Sequence, residues 1–259
     1  MATQILRTLD PRDEARVKSI QGMCHELHIM PPPVAYVGLE VYQCPKELLV
    51  AGRIPDGLKL DQIGVEPATV YNARSQSWVR NAYNIVMTQL CGIDSAYVAS
   101  YGAGGTYNKN TAGTNTGSSE ATFQIRFVTT SGWLGTLGTD SRGIVVGTGT
   151  GAEDFEDYAL DAAVANGTGA GQLSYAAQET TIAAYTAGTK TWASTMVRYL
   201  NNNSGGAIVV GETGIYAYVY TGAAYDTMVC RDLQDPTVSV ADTAQLKVTY
   251  TITSMAYPA

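Results

Sequence analysis

The residues most open to a chemical reading fall in one run, GIVVGTGTGAEDFEDYAL at 143–160. Gly147, Gly149 and Ala152 fit the spacing G-x-G-x-x-(G/A), and an apolar stretch precedes them. In a dinucleotide-binding βαβ unit, such glycines let backbone amides and a helix N-terminus approach a pyrophosphate. Three features oppose that chemistry here. Glu153, Asp154, Glu156 and Asp157 crowd the place where the phosphates would sit and would repel them. No βαβ series follows. The chain also holds 27 glycines, so one glycine pattern carries little information. The same acids, with Asp161, offer oxygens of the kind Ca²⁺ takes, but without the D-x-[DN]-x-[DN]-G spacing of a calcium loop. A solvated acidic loop or helix start is the expectation.

The second candidate is Cys24-His25-Glu26-Leu27-His28. His25 and His28 stand three apart, whereas a zincin helix needs four. Cys44 is available as a further ligand, but no C-x-x-C pair supports a zinc site. These are the only two histidines of the chain, so any Ser-His-Asp or Cys-His centre would have to draw on them. There is no G-x-S-x-G elbow, and no pair of carboxylates stands out as an acid and base. No catalytic, cofactor-binding or metal-binding residue is therefore assigned, and the chain is not read as an enzyme.

These residues sit in an acidic, weakly charged chain. Net charge is −7 and charged residues make up 15% of the 259, against about 25% in an average domain. Without a basic run, nucleic acid is not an expected partner. No stretch approaches the apolar length of a membrane span, and the acids near the start argue against a signal peptide. Cys24, Cys44, Cys91 and Cys230 are widely spaced and read as free buried thiols rather than a disulfide framework. Tyrosine dominates the aromatics, 17 against three Phe and three Trp, which suits half-buried strands and interfaces.

The elements that must position these residues are mostly strands. Residues 190–219 alternate with period two on both sides of the turn NNNSGG at 201–206, which predicts a hairpin in an antiparallel sheet. AQLKVTYTITS at 244–254 alternates Leu246, Val248, Tyr250 and Ile252 inward against Lys247, Thr249, Thr251 and Thr253. Further strands are expected at 121–129, 142–147 and 225–231, with a turn at Asp235-Pro236. Residues 75–91 predict a helix capped by Ser75 or Ser77, with Trp78, Ala82, Ile85, Val86 and Leu90 on its apolar face and Gly92 past its end. Residues 100–120 read as a Gly/Thr/Asn loop.

Residues 1–71 hold seven of the nine prolines. They are expected to form an extended arm with short strands, one at 34–42, and a possible helix over 11–29. The predicted organisation is thus mainly β: an antiparallel β-sandwich with one packed helix over 72–259, and the arm at 1–71.

Several segments together carry a resemblance. Ser77-Trp78-Val79-Arg80-Asn81, GIVVGTGT at 143–150, EDYAL at 156–160, NGTGAGQLSY at 166–175, MVRYLNNNSG at 196–205, and Cys230-Arg231-Asp232 with the final LKVTYTIT resemble structural proteins of tailed-bacteriophage virions. The resemblance covers about 75–254 and brings no active site with it. It implies a non-enzymatic component of the head surface, neck or tail, located in the virion. Its partners would be other virion structural proteins and further copies of itself, with no cofactor, nucleic acid or membrane. A fibre or receptor-binding module contacting host-surface glycans is the alternative, using Tyr-rich strands and the loops at 100–120 and 201–206. A glycan hydrolase is the third.

Overall fold

The computed structural model describes residues 3–27, 33–91, 108–116, 124–125, 133–179, 182–188, 191–220 and 224–256. The chain is mainly β, with two helices. In order it forms β1 (Gln4–Arg7), α1 (Pro11–Glu26), β2 (Val34–Gln43), β3 (Thr69–Ser75) and α2 (Arg80–Cys91). The short strands β4 (Asn108–Lys109), β5 (Asn115–Thr116) and β6 (Gln124–Ile125) follow, then β7 (Gly143–Gly147), β8 (Ser174–Tyr175) and β9 (Ile182–Thr186). The chain continues through β10 (Thr191–Asn201), β11 (Ile208–Tyr220), β12 (Ala224–Val240) and β13 (Ala244–Ala256).

The larger sheet has seven strands in the order β1-β3-β2-β13-β10-β8, with β9 also on β10. All its pairs are antiparallel except β1 with β3, which is parallel. Alternation places Leu39, Val248 and Arg198 in line on neighbouring strands facing the core, while Lys247 and Thr249 face outward. The inward and outward positions read from 244–254 hold, with Ile252 half-buried.

Residues 34–43 depart from the expected arm. β2 lies inside the sheet, paired with β3 on one side and β13 on the other, and β3 runs across position 71. The physical reason is the placement of the prolines. Pro33 precedes β2 and Pro45 follows it, so ten residues run without a missing N–H.

The strands expected as one hairpin, β10 and β11, belong to different sheets. β11 pairs with β12, β6 and β7, whereas β10 pairs with β13, β8 and β9. The turn between them is a corner, and Asn202 holds it. Its side-chain amide donates to the Gly206 and Val240 carbonyls at 2.8 Å each, and its backbone exchanges bonds with Ala244 and Thr243. The passage from β12 to β13 is a second such corner, stitched to the first.

Asp235-Pro236 does not end a strand. β12 continues to Val240, and the register slips between Val210 and Glu212 to accommodate the extra residues as a bulge. Buried residues of both sheets, among them Val37, Leu246, Val210 and Val238, share one apolar cluster. A smaller cluster of Tyr42, Cys44, Ile54 and Leu60 sits apart from it. Amide side chains pin that segment in place: Gln245 accepts from Leu60 N and Asn203 from Ile54 N, both at 2.9 Å.

α2 starts five residues later than the spacing predicts. Ser75 closes β3, and its hydroxyl meets the Cys230 thiol instead of capping a helix. Trp78 bridges to Cys230 before the helix begins. Ala82 and Ile85 are buried as expected, but Val86 is exposed. Asn81 fastens α2 to β12, its Nδ2 donating to Met228 O at 2.9 Å and to Lys109 O at 3.0 Å. The Leu90 side chain, Gly92, Phe123, Arg126 and Phe127 lie outside the described residues, as does most of 100–120.

α1 forms within the predicted 11–29, so the chain has two helices where one packed helix was expected. Asp10 accepts from Arg12 N at its start, at 2.8 Å. None of its described residues is buried, and Ile20 and Met23, with Leu27 just past its end, are exposed.

Candidate functional site

The glycine run closes around a carboxylate of its own chain. β7 delivers the chain into the loop after Gly147, and the Glu212 side chain of β11 enters that loop. Gly149 N donates to Glu212 Oε1 at 3.2 Å, Ala162 N to Oε1 at 2.8 Å, and Asp161 N to Oε2 at 3.1 Å. A Cβ at Gly147 or Gly149 would run into this carboxylate, and one at Gly211 would strike the Gly149 carbonyl. The glycines therefore serve close backbone approach, the property a phosphate loop uses. The anion they cradle is Glu212.

Arg231 of β12 completes the arrangement. Its Nε donates to Glu212 Oε2 at 2.8 Å, Nη1 to Asp157 Oδ2 at 2.7 Å, and Nη2 to Asp161 Oδ2 at 2.6 Å. Nη1 and Nη2 also donate to the carbonyls of Ala152 and Gly151. Burial alone would favour loss of the guanidinium proton. The bonds to Asp157 and Glu212 outweigh it and hold the group charged, above its ordinary range.

The other acids of the run are also engaged. Glu153 accepts from Leu233 N, and Glu156 pairs with Arg80 and Lys109. The acidic stretch is therefore the exposed loop of the two expectations and not a helix start, with its carboxylates engaged. It is a surface segment tied down by Arg231, whose charge occupies the centre where a cation would otherwise draw these carboxylates.

A second polar cluster lies deeper. Tyr250 OH and Cys230 Sγ each donate to Asp232 Oδ2 at 3.0 Å, Gln76 N donates to Oδ1, and Thr213 Oγ1 lies 2.6 Å from Tyr250 OH. Burial pushes Asp232 above the usual carboxylate range, against the hydrogen bonds it receives. Burial likewise pushes the Cys230 thiol well up. A thiol, a hydroxyl and a carboxylate in contact would suit nucleophilic chemistry. Here Cys230 and Tyr250 are fully buried, and the thiol is held in its unreactive form. The cluster joins β3, β12 and β13 as a structural network.

Arg198 is fully buried, and among the described residues no carboxylate pairs with it. Its five N–H groups donate to the carbonyls of Ala176, Arg142, Ile144, Thr136 and Thr139 at 2.6–3.0 Å. Its guanidinium lies 4.8 Å from the centre of the Tyr175 ring. Burial lowers its pKa to about 10. On the outer face of the same sheet, Lys247 bridges Glu40 at 3.1 Å and Asp61 at 3.0 Å. Burial would raise Asp61, but bonds from Lys247 and Tyr199 outweigh it and hold the carboxyl below its ordinary range.

Of the Cys and His residues weighed for a metal site, only Cys24 and Cys44 have described side chains. Cys44 is buried in the smaller cluster and donates to Pro45 O. Cys24 is half-buried on α1. The His25 side chain and all of His28 lie outside the described residues. Among the described residues no three His, Cys, Asp or Glu side chains are grouped to hold a metal ion, and no helix is long and apolar enough to cross a membrane. Cys24, Cys44 and Cys230 are free thiols.

Sequence reasoning missed Glu212 and the role of Arg198. The available signal was a charged residue at an inward position of an apolar strand, as Arg198 stands between Met196 and Leu200. No protein-family model, curated protein or solved structure matches the chain.

Proposed function

We propose that the chain is a non-enzymatic structural protein of a tailed-bacteriophage virion, a component of the head surface, neck or tail that acts through subunit interfaces. On this reading the two sheets are the layers of a β-sandwich, and α1 with the far end of the larger sheet provides contacts to neighbours.

The observation that carries the reading is the lack of cover on these elements. α1 is 16 residues long with no described residue buried, and isolated helices of that length are marginal in water. Beyond the core, β9 and the adjoining ends of β10 and β13 have no buried residue from 183 to 186, 191 to 195 or 251 to 253. Strands whose faces are only partly covered, as here, are weakly stable by themselves. Both elements gain most from burial against another chain. The engagement of Arg231, Glu212, Asp232 and Cys230 in internal contacts supports a role without catalysis. Of the two loops assigned to glycan contact in the fibre reading, most of 100–120 lies outside the described residues, and in 201–206 Asn201, Asn202 and Asn203 are buried, which removes those three side chains from such a surface.

The test is localisation. Purified particles of the encoding phage are probed with antibody to this chain in the electron microscope and by mass spectrometry of the particle proteins. The expected result is labelling at one fixed position on head, neck or tail. Absence from washed, intact particles overturns the proposal.

A further inference from the structure

The outer face of the larger sheet carries a cavity of about 320 Å³ over its central strands, β3, β2 and β13. Strand register sets its shape. Asn72, Gly38 and Thr249 stand in one row across the three strands and form the floor. Two residues away along the strands, Tyr36 and Thr251 make one end, and Glu40 with Lys247 makes the other. The two ends are about 13 Å apart along β2. Leu9, in the link between β1 and α1, adds a side wall. α1 is tied to the Tyr36 end, where Tyr36 OH donates to Glu14 Oε2 at 3.1 Å.

The floor is low because of Gly38. A glycine inside a strand weakens it, and often marks either a bulge or a close approach. β2 pairs with both neighbours in unbroken register, so there is no bulge. What comes close is the Asn72 amide, whose Oδ1 lies 3.0 Å from where a Cβ on Gly38 would stand. Asn72 is exposed, and its amide makes no hydrogen bond with another described residue. The trough is thus a space kept clear of side chains, with an unengaged amide laid along its floor.

We infer that this trough is a binding site for one neutral sugar ring. The site goes beyond the structural reading above and uses neither of the loops considered for glycan contact. Its lining offers donors and acceptors side by side, since the Asn72 amide and the Thr249 and Thr251 hydroxyls each supply both. Neighbouring hydroxyls of a pyranose are also donor and acceptor at once, and so match such a set. At the far end charge is already balanced. Lys247 Nζ has three N–H groups, of which Glu40 and Asp61 take two, at 3.1 and 3.0 Å. The third is left to give. An anionic ligand would meet Glu40 and a cationic one Lys247, so the ligand that fits carries no charge. The Tyr36 ring and Leu9 add apolar surface for the C–H face of the sugar. A few polar groups beside apolar walls is the make-up of small-molecule sites, and the volume lies at the small end of their ~300–1,000 Å³ range.

The isotope-labelled full-length chain is titrated with D-glucose, D-galactose, D-mannose and N-acetyl-D-glucosamine while its backbone amide resonances are followed. The charged sugars D-glucuronate and D-glucosamine are titrated alongside. Gly38→Leu, which fills the floor, and Asn72→Ala, which removes the amide at an exposed position, are treated in the same way after their spectra show them folded. The expected result is that at least one neutral sugar shifts the amides of Gly38, Asn72 and Thr249. Gly38→Leu should abolish the effect, and Asn72→Ala should weaken binding about ten-fold, the worth of one or two hydrogen bonds. No shift with any neutral sugar overturns the inference, as do shifts confined to other parts of the chain. A charged sugar that binds more tightly than the neutral ones overturns the ligand class. Binding that is unchanged in folded Asn72→Ala, or that survives in folded Gly38→Leu, overturns the site.

Discussion

Arg231 and Glu212 meet across the paired strands β12 and β11, with Nε donating to Oε2 at 2.8 Å, and their side chains are 1% and 0% exposed. Around this pair the loop after β7 is folded. Glu212 gathers the amides of Gly149, Asp161 and Ala162, and Arg231 gathers Asp157, Asp161 and two carbonyls. The pair acts as a template for an acidic segment that sends Leu160 alone into the core before Val164.

Removing one partner leaves the other charge buried. Glu212→Ala should cost about 3–5 kcal/mol, since breaking a buried pair strands its partner. Urea denaturation measures the loss. In a double-mutant cycle, adding Arg231→Met to Glu212→Ala should cost much less than Arg231→Met in the wild type. Additive costs would show that the two side chains act independently.

The glycines of the loop are held to their type by that carboxylate. Gly149→Ala should destabilise by about 1–3 kcal/mol through overpacking against Glu212 and Asp161. Gly206→Ala, where an added methyl group meets nothing within 4 Å, should stay within about 0.5 kcal/mol. Equal effects at the two positions would count against a packing role for the loop glycines.

Arg198 tests whether a buried cation can be held by carbonyls alone. Arg198→Met leaves five carbonyls without their donors and should cost at least about 3 kcal/mol. Arg198→Lys should recover only part of this, because a single ammonium cannot span the same set. Full recovery by lysine would mean that charge, not the planar fork, is what the site needs.

Two carboxylates should give pH dependences of opposite sign. Asp61 has its folded pKa lowered, so its contribution is present above the ordinary aspartate range and is lost as pH falls through the folded value. The cost of Asp61→Asn should therefore shrink in acid. Asp232 has its folded pKa raised, so its contribution is complete below the ordinary range and is lost as pH rises through the folded value. The cost of Asp232→Asn should be greater near pH 4 than near pH 8. Chemical denaturation at several pH values checks both, and parallel profiles would contradict the opposed shifts.

Much of the strand content was legible because alternation is local. Leu246, Val248 and Tyr250 point inward for the same reason that Lys247 and Thr249 point out. The pairing was not legible in the same way. Residues 201–206 permit a tight hairpin turn and a sheet-crossing corner alike, and the choice is made by Asn202 bonding to Val240, 38 residues away. Ser75 likewise has the chemistry of a helix cap, and only its neighbour Cys230 makes it the end of a strand. The internal anion site was not read from the sequence. The glycine spacing was set aside as a weak dinucleotide pattern, and the group it approaches, Glu212, lies 63 residues beyond Gly149.

By itself the sequence determined that this chain is β-rich, where many of its apolar faces lie, and that a strand near 142–147 leads into an acidic stretch. Those properties depend on side-chain size, period and φ preference over a few residues. Tertiary structure alone decided that β10 and β11 part into separate sheets and that a loop shaped for an anion holds Glu212. Each of these depends on which distant groups satisfy a buried charge or backbone amide, and no local rule encodes that choice.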